Sequence, residues 1–346
     1  MAGKRAARVL HLPWNVAGNP LGLSRAERAL GMRSDVAVLD GNDFGFAADV
    51  NLALGAREDP RAQARKAAFL ARAIVRYDVF HFNFGSTLFH RLRGSKLRTE
   101  IPLLRRLGKV ILATFQGDDA RPPSHNPFGS QDPAHLEMQR RYQPARRRLM
   151  LEGAHRVFFL NPDLREWLPG AEFRPYASVD PWSIEVAPPS HRDEVVVAHA
   201  PSDRGIKGTE HVVEAVQALR GEGVPVSLDL VEGVTHAEAM RRFARADLAV
   251  DQLNLGWYGG FAVELMAMGR PVLCHIREEE PGDNPFGDEL PIVRATRETL
   301  RDELRALASD RDRRLRVGGE SRAFAERHHD PRRIAAANLE GLVAIP

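Results

Sequence analysis

Short apolar runs alternate along this chain with helical stretches, and each run ends in glycine or a small polar cluster. Arg8 to Trp14 reads as a first strand, followed by the loop Asn15 to Gly22 and a helical stretch from Ser24. Val36 to Leu39 reads as a second strand, with a polar loop over Asp40 to Asn51. Arg61 to Arg76 repeats apolar residues at helical spacing, with Ala68, Leu70, Ala71 and Ile74 inward and arginines outward. Asp78 to Phe84, Val110 to Phe115 and Arg156 to Leu160 are three further runs. Continuous rather than alternating hydrophobicity, broken by helices, is the pattern of a doubly wound parallel sheet covered on both faces. Ligands of such sheets lie outside the carboxyl ends of the strands. That rule puts Gly18, Asn83, Gln116, Asp118 and Asn161 on one rim.

The pattern resumes after Tyr176 to His191, a stretch rich in Pro and Ser that contains Pro181, Pro188 and Pro189. Val195 to Ala200, Val226 to Val231, Leu248 to Asp251 and Pro271 to Ile276 read as strands of a second sheet. A chain of 346 residues is long for one core, so two domains are expected. We place them at 1–178 and 193–328, with a linker at 179–192 and a last helical segment at 329–346. The halves also differ electrostatically. Residues 1–180 carry 28 Lys+Arg against 18 Asp+Glu, and residues 181–346 carry 21 against 28. A basic first half favours an anionic surface or substrate. The run Gln139 to Arg148, with five arginines, reads as a helix interrupted near Pro144: a solvated face, or a peripheral contact with anionic membrane. Tyr142 is its one aromatic residue, which disfavours nucleic acid. A single cysteine, Cys274, fits a reducing cytoplasm, and no run is long and apolar enough to span a membrane. The apolar segment Val9 to Trp14 near the start is too short for a signal sequence.

Two loops of the second half carry chemistry. Pro201 to Gly208 delivers Ser202, Arg204 and Lys207 just before a helix that Thr209 is expected to cap, and Val212, Ala215, Val216 and Leu219 form its buried stripe. A guanidinium fork, a point charge and a helix end together suit phosphate, and equally could be basic residues in a solvated turn. The second loop is Gly256 to Gly260, leading into an apolar helix over Phe261 to Met268. Gly259 and Gly260 permit close approach of a ligand, and free backbone N–H groups there favour an anion. Glu264 on that helix suits sugar hydroxyls, so the stretch fits a nucleotide; it also fits a packed glycine turn with Glu264 as a solvent-facing acid. In the first half, Gly18 and Gly22 lack the spacing of a dinucleotide fingerprint. His81 reads as a core histidine, and one of Asp118 and Asp119 as a turn-forming residue after Gly117. The acidic stretch 278–291 and Arg313 to Arg316 read as solvated, and helices are expected over Arg297 to Leu307, Gly319 to His328 and Pro331 to Leu342.

His199 to Val216 followed by Val250 to Pro271 resembles the donor-binding half of GT-B glycosyltransferases, most closely glycosyltransferase family 4. The likeness rests on Lys207-Gly208 opening a helix after an Arg, and on Glu264 with Met266 to Pro271 matching the end of the Glu-x7-Glu segment and its turn. Gln116 to Arg121 resembles that family's His-Gly-x-Asp-x-Arg turn, and Arg156 to Leu164 the strand before its linker. Three positions depart from the pattern. Gly256 stands where the first Glu would contact the transferred sugar, Ser202 where the Arg would be, with Arg204 nearby, and Gln116 in place of His.

The resemblance implies two Rossmann-like domains facing across a cleft, with the last helix crossing back to the first domain. It implies retaining, metal-independent transfer from a nucleotide-diphosphate sugar to a saccharide, lipid-linked or small-molecule acceptor, as in polysaccharide biosynthesis, with no cofactor beyond the sugar nucleotide. Arg204, Lys207, Gln116 and Asp118 are then the catalytic candidates. Gly18, Ser202, Glu232, Gly259, Gly260 and Glu264 would bind the donor nucleotide, and Asn83 and Asp119 would lie on the acceptor or sugar side. A catalytically inactive sugar-nucleotide-binding module of a polysaccharide assembly complex, and a nucleotide-sugar epimerase of the same fold, are the competing readings.

Overall fold

The computed structural model describes residues 6–41, 45–54, 59–93, 96–125, 132–187, 192–280 and 282–346. Parts of three expected segments, residues 42–44 of the polar loop, 188–191 of the linker and Pro281 of the acidic stretch, fall outside it. The chain divides into two compact units, Met1–Ser178 with Pro331–Pro346, and Val179–Asp330.

Unit 1 runs β1 (Arg8–Leu12), α1 (Asn19–Ala29), β2 (Arg33–Val38), β3 (Val50–Asn51), α2 (Pro60–Arg76), β4 (Val79–Asn83), β5 (Arg91–Arg93), β6 (Lys96–Arg98), α3 (Ile101–Arg106), β7 (Val110–Phe115), α4 (Pro133–Gly153), β8 (Arg156–Phe159) and β9 (Glu172–Phe173). Its sheet has the order β3-β2-β1-β4-β7-β8-β9, and every pairing is parallel. The loop expected over Asp40 to Asn51 thus ends in an edge strand, where Val50 and Asn51 pair with Ala37 and Val38. Both faces of the central strands are covered: Leu10, Phe80, Phe82 and Phe115 belong to one apolar cluster, and Val9, Val79, Leu112 and Phe158 to another. His81 is fully buried in β4, its Nε2 2.7 Å from Thr114 Oγ1, and burial holds its pKa well below the usual value, as suits a core histidine.

Pro144 does not interrupt α4. The helix holds because the segment is tied down on both sides of the proline. Gln143 is buried and donates to the carbonyls of Asp118 and Arg121, and Arg147 donates to Ala120 O at 3.1 Å. Part of the arginine run therefore serves this turn, while Arg140, Arg141 and Arg148 remain exposed.

Unit 2 runs β10 (Val195–His199), a single turn α5 (Arg204–Lys207), α6 (Thr209–Gly221), β11 (Val226–Leu230), α7 (His236–Phe243), β12 (Leu248–Val250), α8 (Gly260–Ala267), β13 (Val272–Cys274), β14 (Val293–Arg294), α9 (Leu300–Ser309) and α10 (Arg311–His328). The last helix, α11 (Pro331–Leu339), packs on α1 within unit 1. The sheet order β11-β10-β12-β13-β14 is again all parallel. Its core joins Val195, Val197, Leu248 and Val250 to Val212, Val216 and Leu219 of α6 and Leu300, Leu304 and Leu307 of α9. α10 starts eight residues earlier than its sequence suggests. Arg313 and Arg314, expected in solvent, bind Glu303 and the carbonyls of Leu307 and Ala308, fastening α10 to α9. The acidic stretch is also more than a solvated loop: Asp283 is buried against Arg277, and Glu278 holds Arg294.

From β10 the chain turns to β11 on one side, then to β12 on the other. Diverging connections leave a crevice beyond the carboxyl ends of these two strands, where open α/β sheets bind ligands.

Candidate functional site

Two loops meet beyond that crevice. The loop after β10 ends in α5, capped by Asp203, whose carboxylate accepts from Ile206 N at 2.8 Å. The loop after β12 joins it through Leu253 N to Lys207 O at 3.3 Å and Asn254 Nδ2 to Gly205 O at 2.6 Å. Thr209 is not the helix cap expected from sequence. Gly208, with φ +73°, stands at that position, and the buried Thr209 hydroxyl instead meets His199 Nε2 at 2.9 Å. His199 Nδ1 lies 2.7 Å from Val250 O, so this histidine ties β10 to β12. Burial lowers its pKa, leaving a neutral ring that can donate at one nitrogen and accept at the other.

Asp251 is the residue at the centre. Its side chain is fully buried at the end of β12, with Oδ1 2.5 Å from Lys207 Nζ and Oδ2 2.6 Å from Gly259 N. The expectation that the Gly259 N–H is free for an anion is therefore corrected. A buried carboxylate needs compensating donors, and the ammonium and this N–H supply them. Lys207 has three donors, of which Asp251 engages one direction. Gly259 precedes α8, and a Cβ built on it would lie 3.4 Å from Lys207 Nζ, an ordinary contact, so the turn and the ammonium are close neighbours.

α8 is apolar nearly all round, with Ala262, Val263, Leu265, Met266 and Ala267 buried. Glu264 is its one charged residue, and its Oε1 lies 2.5 Å from Nε2 of His236 at the start of α7. That carboxylate raises the His236 pKa above 6.5. Behind His236, the loop after β11 carries Glu232, which binds Arg204 at 2.8 Å, and Glu210 takes the same guanidinium from the other side at 2.8 Å. Arg204 is exposed and held by two carboxylates, and Glu210 first and Glu232 second raise its pKa. One chain of contacts runs from Lys207 through Asp251 to Gly259 at the start of α8, and along α8 to Glu264 and His236; Arg204, on the same turn as Lys207, makes a separate pair with Glu232. Gly260 opens α8, and Ser202 is exposed just before Arg204. Asp251 and His236 were not picked out from sequence. Asp251 had a signal, a charge ending the apolar run Leu248 to Val250; His236 had none.

Gly256 occupies the position of the departure noted above. Its φ is +71°, and a Cβ there would lie 2.8 Å from Arg277 Cβ. The turn has neither the backbone conformation nor the room for a glutamate.

In unit 1 the carboxyl ends of β4, β7 and β8 carry the remaining candidates. Asn83 is buried and donates to His81 O. Gln116 is buried, with its carbonyl accepting from Asn161, whose Oδ1 in turn accepts from Tyr176 OH at 2.6 Å. Asp118 binds Arg121 at 3.0 Å, and Arg121 also holds Asp163 at 2.6 Å. Gly18, with φ +71°, precedes α1 on the same sheet's rim, and a Cβ there would press on the Phe46 ring at 3.0 Å. Asp119, the other member of the pair, is turned into its own loop. Its buried carboxylate accepts from Gln116 N and from Gly117 N at 2.7 Å, making it the turn-forming member of the pair. Burial pushes its pKa up from 3.8 to about 7. Because the fold binds this proton more tightly than the unfolded chain does, Asp119 contributes most below 3.8, and that contribution is lost as pH rises to about 7. Urea unfolding at a series of pH values should show wild type losing stability relative to Asp119→Asn across this window. A pH-independent difference would contradict the raised pKa.

Among the described residues no three His, Cys, Asp or Glu side chains meet as a metal-ion site, and no helix is long and apolar enough to cross a membrane. No family model matches the chain, and no curated protein matches it by sequence. Solved structures do. Sucrose-phosphate synthase from Thermosynechococcus elongatus superposes with a TM-score of 0.64 at 16% identity, over 96% of this chain and 97% of that one. WaaG, a glycosyltransferase involved in lipopolysaccharide biosynthesis, gives 0.58 at 13% identity, over 96% and 100%. A protein described as a UDP-N-acetylglucosamine 2-epimerase from Listeria monocytogenes gives 0.51 at 14%, over 97% and 95%. With two Rossmann-like parallel-sheet units and these likenesses along nearly its whole length, the chain has the GT-B fold.

Proposed function

We propose that the protein is a glycosyltransferase, retaining and independent of metal, that moves a sugar from a nucleotide-diphosphate donor to a saccharide, lipid-linked or small-molecule acceptor. The observation that carries this reading is the arrangement in unit 2 in which Lys207, on one turn with Arg204, meets through Asp251 the Gly259-Gly260 turn that opens the Glu264 helix, at the switch point of the sheet. Lys207 would face the leaving diphosphate, where a preorganised cation counters charge that grows as the glycosidic bond lengthens. Glu264 would accept from ribose hydroxyls, with Glu232 and Ser202 nearby. In unit 1, Gln116, Asp118 and Asn83 would meet sugar or acceptor hydroxyls, and Gly18 the donor. Exposed Arg140, Arg141 and Arg148 would serve peripheral contact with anionic membrane.

A second reading, a sugar-nucleotide-binding module without turnover, is favoured by Gly256, which leaves no side chain at the family's sugar-contacting position. A panel of nucleotide sugars, with nucleotide release followed with and without saccharide acceptors, tests both. We expect release from at least one donor. Binding without release from any donor would favour the module, and epimerised donor without transfer would favour the epimerase.

A further inference from the structure

The Asp251 carboxylate takes up the two groups that a phosphate would be expected to seek in this crevice: the Lys207 ammonium at 2.5 Å and the Gly259 N–H at 2.6 Å. It is fully buried, so its charge is poorly screened, and it sits on the first residue after β12, fixed by the sheet rather than by a loop. Lys207 is also nearly buried and cannot swing away without leaving that carboxylate uncompensated. We infer that Asp251 is a built-in counter-anion for Lys207, a positioning residue that fixes the ammonium and limits how tightly the site holds an anionic ligand. The inference rests on Lys207 being the cation that faces the diphosphate. Its chemical consequence is specific. An incoming diphosphate meets an ammonium already engaged by Asp251 and a carboxylate of its own sign, so the ligand is bound loosely and a diphosphate product leaves readily.

Only a carboxylate can accept on both sides. An amide at this position keeps the shape but turns one acceptor into a donor, and it removes the charge. Inorganic pyrophosphate is the probe, titrated by calorimetry at fixed ionic strength into wild type, Asp251→Asn, Lys207→Met and the double variant, with thermal melts to confirm folding. Removing a like charge a few ångströms from the ligand should tighten pyrophosphate binding by about tenfold in Asp251→Asn. In the Lys207→Met background, where the cation that the carboxylate competes for is gone, the same substitution should change affinity by less than about twofold. If Asp251→Asn does not fold, Asp251→Ser is read in the same way. Unchanged or weaker binding in the folded variant, equal tightening in both backgrounds, or no binding by either wild type or variant would overturn the inference. Nucleotide release keeps the two ideas apart. Turnover by wild type together with unaltered pyrophosphate affinity in Asp251→Asn sinks the counter-anion alone. Tightened affinity without turnover of any nucleotide sugar sinks the transferase reading alone.

Discussion

Lys207→Ala is expected to lower kcat/KM by about 30-fold or more, the equivalent of roughly 2 kcal/mol of transition-state stabilisation lost with a cation facing the leaving group. The same substitution removes the partner of the fully buried Asp251, and breaking such a pair typically costs about 3–5 kcal/mol of stability. The two consequences must be separated, because an enzyme that is half unfolded also turns over slowly. Lys207→Ala with Asp251→Asn does this. Replacing the orphaned carboxylate by an amide should restore much of the melting temperature and little of the turnover. Recovery of turnover along with stability would show that Lys207 holds the crevice together and does nothing for the reaction. Unchanged turnover in the single variant would remove Lys207 from the mechanism altogether.

Glu264→Gln is expected to weaken free nucleoside diphosphate binding by about 1 to 3 kcal/mol, because a charge-assisted pair of bonds to ribose hydroxyls becomes one neutral bond beside a misplaced donor. His236 complicates the measurement, since its Nε2 lies 2.5 Å from the same carboxylate. That carboxylate raises the His236 pKa above 6.5 in the fold. The pair's stabilisation is therefore fully present below the unfolded value of 6.5 and is lost as pH rises through the higher folded value. Glu264→Gln should accordingly lower the melting temperature more at acid than at alkaline pH, while the loss of nucleotide affinity persists at alkaline pH. Calorimetric titration and thermal melts at both ends of the range decide the matter. Full nucleotide affinity beside a pH-dependent loss of stability would assign Glu264 to His236 alone and end its role with the ribose.

What the sequence determined by itself was the architecture. Apolar runs such as Val195 to Ala200 and Leu248 to Asp251 are continuous because a strand in a parallel sheet is buried on both faces, and that requirement is local enough to read from the chain. The rule that ligands lie beyond the carboxyl ends of such strands placed Asn83 and Gln116 there, since the rim depends only on strand direction. Helix ends were less legible: Pro144 lies inside α4 because Gln143 and Arg147 are anchored to a turn more than twenty residues away, a contact that local propensity cannot register.

The tertiary structure decided the charges. Arg204, Lys207 and the Gly259 N–H each read in sequence as available to phosphate, and each is taken by a carboxylate: Glu210 and Glu232 for the first, Asp251 for the other two. Asp251 and Lys207 are forty-four positions apart, and His236 and Glu264 twenty-eight, so no spacing rule pairs them. Burial and a few ångströms of approach fix how much of a charge is left for a ligand, and both are set by the packing of β10 against β12 and of α8 beside α7, not by either residue's neighbours in the chain.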